Sequence, residues 1–132
     1  MEFASQSIDI GLVVKDIAAS LDFYCRTLGW GKVGEMPLSG HRTMHLLRVG
    51  GSILKLQDLH EAAPPVGPKG MLEQAGIRYF TVEIRDLENV VADLTQSGCE
   101  FTRPFQEISP GVFIAMLQDP DGNTIELVER TS

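Results

Sequence analysis

The side chains of this sequence that could bind a polar molecule or move a proton fall at alternate positions of strand-like segments. In Ile8–Val14, Ile8, Ile10, Leu12 and Val14 form one apolar face, which turns Asp9, Gly11 and Val13 the other way. In Ser52–Gln57, Leu54 and Leu56 are core positions and Ile53, Lys55 and Gln57 face away. Phe80, Val82 and Ile84 likewise oppose Tyr79, Thr81 and Glu83, and Ile125 and Leu127 oppose Glu126. Asp9 or Glu126 can accept and return a proton. The Lys55 ammonium and the Tyr79 phenol can stabilise developing negative charge, and Gln57, Thr81 and Glu83 can fix an orientation. Singly, each is an ordinary polar residue of a solvated sheet face. Gathered in one concavity, they have the composition of a polar ligand site.

The other reactive residues are less directed. If Gly50-Gly51 is a two-residue hairpin loop, His45 lies opposite Leu56, points away from Lys55 and is a core or edge histidine. A bulge would reverse it and make it an acid–base candidate. His41 precedes the strand in a Gly-containing loop and can reach the rim of a cavity, whereas His60 belongs to a linker. Met36, Met44, Phe105, Phe113 and Met116 can form an apolar ligand wall, although core packing is the commoner role. Of these, Met44, Phe113 and Met116 are kept as ligand-binding candidates. Cys25 and Cys99 have no CxxC neighbour and no clustered His, which reads as reduced and structural. GxSxG, P-loop and dinucleotide motifs are missing, so hydride and ATP chemistry have no support.

Two similar segments position these residues. Ile8–Ile17 and Arg78–Leu87 both run as a strand into a basic residue, an Asp and an aliphatic residue, which places Asp16 and Asp86 at helix N-caps. Ile17, Leu21, Tyr24 and Leu28 predict the first helix, stopped at Gly29. Leu87, Val90, Val91 and Leu94 predict the second, stopped at Gly98. A stretch suited to three strands follows each. The first includes Thr43–Val49 and Ser52–Gln57 around Gly50-Gly51. The second includes Gly111–Leu117 and Asn123–Glu129 around Asp119-Pro-Asp-Gly122. The turn glycines Gly51 and Gly122 are 71 positions apart and Asp16 and Asp86 are 70 apart, as an internal duplication requires. The expected organisation is one domain built of module 1 (7–57), a linker (58–76) with three prolines and a helical turn around Met71-Leu-Glu-Gln, and module 2 (77–130).

Composition narrows the function classes. The 132 residues, 43% apolar and 22% charged, suffice for a core without disulfide or metal. Eighteen acids against eleven bases give a net charge of −7, which argues against nucleic acid and anionic membranes. The N-terminus reads as no signal peptide and no run would span a bilayer, so the expected location is cytoplasmic.

The segments Ile8–Tyr24 with Leu28-Gly29-Trp30, and Asp119–Glu129, resemble the vicinal oxygen chelate superfamily, which includes glyoxalase I, extradiol dioxygenases and bleomycin resistance proteins. The resemblance implies an α+β fold of two tandem βαβββ modules, a curved, funnel-like mixed sheet, and a cavity that the modules build together, usually in a homodimer. Its catalytic members hold a divalent ion with four side chains, from the first and last strands of each module. Carried onto this sequence, those positions are Asp9, Lys55, Tyr79 and Glu126. Lysine repels a metal and neutral tyrosine is a poor ligand, so the expectation is no metal and no cofactor. Lys55 would then pair with Asp9 and Glu126 and take over the electrostatic task of the ion. The reading is a metal-independent isomerase, lyase or cyclase acting on a small polar molecule. The alternatives are a sequestering protein of the bleomycin-resistance kind, and a metal enzyme using His41 or His45 with Glu126.

Overall fold

A computed structural model describes residues 1–62, 65, 67, 72 and 75–131, and the turn expected around Met71-Leu-Glu-Gln lies, Leu72 apart, outside the described residues. The chain forms two compact units, Met1–Pro65 and Val66–Ser132. In the first unit, strand β1 (Ile10–Val14) leads into helix α1 (Ile17–Leu21) and then strands β2 (Gly31–Leu38), β3 (Arg42–Val49) and β4 (Ser52–Asp58). The second unit repeats this with β5 (Tyr79–Glu83), α2 (Leu87–Gln96), β6 (Phe101–Ser109), β7 (Val112–Gln118) and β8 (Thr124–Arg130). The sheets have the orders β1-β4-β3-β2 and β5-β8-β7-β6. In each, the first strand pairs in parallel with the last, and the remaining pairs are antiparallel. This is the α+β arrangement of two βαβββ modules expected from the sequence. Neither sheet is closed.

The alternation of apolar residues sets the core. Val14, Leu47, Leu54 and Leu56 are buried in the first unit, as is Tyr24, at no exposure. The Tyr24 ring meets Phe23 edge-on at 5.0 Å and Trp30 at 5.3 Å. In the second unit α2 packs on β6, β7 and β8, over buried Leu87, Leu94, Ala115, Leu117, Ile125 and Leu127. Ile8 falls outside β1 and is exposed, so the apolar face read from the sequence begins at Ile10.

The helices differ from the simple reading at two points. After Leu21 the first helix widens into a π-helical stretch, Asp22–Thr27. The Leu28 N–H bonds to the Phe23 carbonyl at 2.9 Å, five residues back, before Gly29 turns the chain at φ 76°. Asp22 and Arg26 pair along this stretch, and the guanidinium holds the Asp22 carboxyl below its ordinary value.

Capping is also asymmetric. The Asp16 carboxylate accepts from Ala19 N at 3.1 Å, as its sequence position predicts. Asp86 stands at the matching place but caps nothing: its backbone is left-handed, at φ 60°, and its side chain accepts from Asn89 instead. The carboxylate of Glu129, in β8, receives both the Asp86 and Leu87 N–H groups, each at 2.9 Å. A strand side chain therefore satisfies the helix N-terminus and ties α2 to the sheet. We expect Glu129→Ala to cost about 1–2 kcal/mol, the usual range for a lost cap. Asp86→Gly should be neutral or stabilising by up to about 1 kcal/mol, since glycine accepts this φ without strain. Urea denaturation of the two variants checks both values.

Candidate functional site

The register of each sheet decides which polar side chains share its helix-free face. In the first unit Gly11 pairs with Lys55 and Val13 with Gln57, while Leu46 lies beside Lys55 and Met44 beside Gln57. Lys55 Nζ is 3.8 Å from Asp9 Oδ2, with the two side chains 39% and 43% exposed. The other Asp9 oxygen accepts from Ile53 N at 2.8 Å, so Asp9 both pairs the lysine and finishes the parallel ladder. Gln57 Oε1 accepts from Arg42 Nη1 at 3.1 Å. A Cβ at Gly11 would meet nothing within 4 Å, which leaves open space beside Lys55.

In the second unit Tyr79 pairs with Thr124 and Thr81 with Glu126, Met116 pairs with Glu126, and Arg103 pairs with Met116. A cavity of about 550 Å³ opens over this face. Tyr79, Thr124 and Glu126 line one side, Met116 and Gln118 the floor, and Thr102 and Arg103 the other side. Glu126 Oε1 accepts from Thr81 Oγ1 at 2.8 Å. Farther along the face Glu83 is bound by Arg130 Nη1 at 2.6 Å, which neutralises it. The apolar end of the face, Ile114, Met116 and Val128, is a small buried cluster.

Several sequence candidates stand elsewhere. Val49 pairs with Ser52, so Gly50-Gly51 is a two-residue loop and His45 lies opposite Leu56 on the helix side of β3. His45 is 8% exposed. Its Nδ1 makes no hydrogen bond and lies 3.4 Å from Glu35 Oε1, so it is the core histidine that the two-residue loop implies. His41 is exposed in the β2–β3 turn, at φ 57°. Phe113 lies on the opposite face of β7 from Met116 and stacks on Phe105 at 5.5 Å. Burial pushes both thiols, Cys25 and Cys99, above their ordinary value, away from nucleophilic use.

Sequence reading missed the arginines of the two sheets. Arg42 and Arg48 come from β3 and Arg103 from the interrupted β6. Arg130 was reachable by continuing the Glu126–Val128 alternation two residues further.

Residues 8–127 match the Glyoxalase/Bleomycin resistance protein/Dioxygenase superfamily, and the chain belongs to it. Solved structures agree on the fold. A glyoxalase family protein from Bacillus cereus matches at TM-score 0.79 and 14% identity over 99% of this chain and 97% of its own. One from Enterococcus faecalis matches at 0.66 and 24%, covering 97% of each chain. A variant of glyoxalase I from Zea mays matches at 0.76 and 20% over 94% of this chain but only 44% of its own. No curated protein matches the sequence significantly.

The metal that the resemblance implies does not fit the residues present. Two of its four positions hold the Lys55–Asp9 ion pair, a third holds the neutral phenol of Tyr79, and only Glu126 is a usual ligand. Among the described residues no three His, Cys, Asp or Glu side chains gather as a metal would need. Nor is any described helix long and apolar enough to cross a membrane. Because the Lys55–Asp9 pair is two-fifths exposed, Lys55→Met should change stability by less than about 1 kcal/mol. Asp9→Ala should cost more, about 1 kcal/mol or slightly above, because Ile53 N loses its acceptor. Thermal unfolding of the two variants separates these roles.

Proposed function

We propose that this chain is a metal-independent member of its superfamily that acts on a small polar organic molecule by acid–base chemistry. One observation carries the reading: Lys55 Nζ stands 3.8 Å from Asp9 Oδ2 at two positions where metal-holding relatives carry ligands. A fixed ammonium supplies positive charge there without an ion. In the second unit Glu126 is the proton carrier, since Thr81 fixes one of its oxygens and leaves the other toward the cavity. Tyr79 and Arg103 line the same cavity and hold negative charge as it develops on the substrate. A proton abstracted next to a carbonyl and returned elsewhere gives an isomerase. The same abstraction followed by departure of a β-substituent gives a lyase.

Sequestration without turnover is the second reading. The Thr81–Glu126 hydrogen bond favours it as well, because a pinned carboxylate is a good fixed acceptor for a ligand N–H or O–H.

The test is proton exchange. Protein in D₂O is mixed with pools of small carbonyl and hydroxy acids and followed by proton NMR. We expect loss of a C–H signal beside a carbonyl, unchanged by EDTA and slowed by about 10²–10⁴-fold in Glu126→Gln, the range that general acid–base groups contribute. Chelator-sensitive exchange, restored by a divalent metal, would overturn the metal-independent reading. A ligand that binds but never exchanges would establish sequestration.

A further inference from the structure

The cavity of the second unit is built in cross-strand rows. One row runs Arg103, Met116, Glu126 and Thr81 across β6, β7, β8 and β5. The next runs Gln118, Thr124 and Tyr79. The first row therefore carries a cation and an anion with a thioether between them. Arg103 and Glu126 are two strands apart, so their backbones are separated by about 10 Å. Met116 stands between them in the row, and no ion pair joins them.

Both charged heads are held and both are left with capacity. With its amide assigned so that the oxygen faces the guanidinium, Gln106 accepts from Arg103 Nε and Nη2, at 2.9 Å each. That fixes one edge of the guanidinium and leaves the Nη1/Nη2 end for a planar acceptor. No carboxylate among the described residues pairs with Arg103, in contrast to Arg130, which is spent on Glu83. Glu126 uses one oxygen on Thr81 and keeps the other. Such a row is matched by a molecule with the opposite polarity at each end.

We propose that this cavity selects a dipolar ligand: a carboxylate on Arg103, an ammonium on Glu126 and a short apolar link across Met116. The inference rests on the sequestering reading of this face, in which the free Glu126 oxygen accepts from a ligand N–H instead of taking a proton from carbon, and adds the ligand class. With a hydrogen-bond length at either end, the two charged groups of the ligand lie roughly 4–6 Å apart. That is the reach of a three- to five-carbon ω-amino acid. Tyr79 and Gln118, in the neighbouring row, supply neutral hydrogen bonds to substituents on the link.

Calorimetric titration of the whole chain with glycine, β-alanine, 4-aminobutyrate, 5-aminovalerate and 6-aminohexanoate, and with butanoate and butylamine, tests it. The expected optimum is at three to five carbons, with each single-charge analogue weaker by at least about tenfold, the value of one charge-assisted contact. Arg103→Met should remove the preference for the amino acid over butylamine, and Glu126→Gln its preference over butanoate. Circular dichroism of both variants checks that they fold.

Binding independent of length, equal binding of the single-charge analogues, unchanged binding in Arg103→Met, or no binding by any member would each overturn the proposal. The sequestering reading fails differently, through exchange of a C–H proton of the bound ligand. A ligand held by Glu126 and indifferent to Arg103 overturns this inference and leaves that reading standing.

Discussion

Two parallel ladders govern the rest of the molecule. Each unit brings its first strand alongside its last, Gly11 beside Lys55 in one and Thr81 beside Glu126 in the other. Parallel neighbours cannot be joined by a tight turn, so each needs a long crossover, and here the helix and two further strands supply it. Once that pairing is set, the period of two assigns every residue of the sheet to a face. A slip of one position would bury Lys55 or Glu126 under the helix and expose Leu56 or Ile125. The hydrophobic core thus enforces the register, and the register places the polar groups.

The duplicated rows show how far the halves have diverged on a common scaffold. The row through Lys55 reads Gly34, Leu46, Lys55 and Gly11, whereas its counterpart reads Arg103, Met116, Glu126 and Thr81. The central charge is inverted, and the flanking glycines of one become the hydrogen-bonding and charged residues of the other. The central aliphatic position alone keeps its character, Leu46 against Met116. One half carries the Lys55–Asp9 ion pair, and the other a row with a cation at one end and an anion beyond a thioether.

Much of this arrangement was legible from residue types. The apolar alternation of β1, β4, β5 and β8 gave the correct faces because their pairings run without a register shift. Gly50-Gly51 and Asp119–Gly122 announced their turns through residues that tolerate positive φ, whereas the facing of His45 stayed open until the register showed a two-residue loop without a bulge. The failures have physical causes. The π-helical stretch keeps an ordinary helical spacing of apolar residues, so Asp22–Thr27 looked α-helical. Asp86 has the identity of a cap, but a tertiary partner, Glu129, took the N–H groups. Arg103 was hidden because β6 departs from regular pairing on both sides of it, so counting by two along the sequence loses the face.

Those interruptions have a colloidal meaning. Each sheet has two outermost strands, β1 and β2 in one and β5 and β6 in the other; the long ones, β2 and β6, each have one edge without a partner inside their own sheet, the kind of edge onto which a misfolded neighbour can crystallise as a fibril. In β6 the pairing shifts at three places and Pro104 deletes a donor; in β2 it shifts once and Pro37 does the same. Such an edge offers an incoming chain few consecutive donors and acceptors. The irregularity that presents Arg103 to the cavity is thus also a brake on amyloid-type growth. Straightening β6 to regularise the face would trade solubility for symmetry.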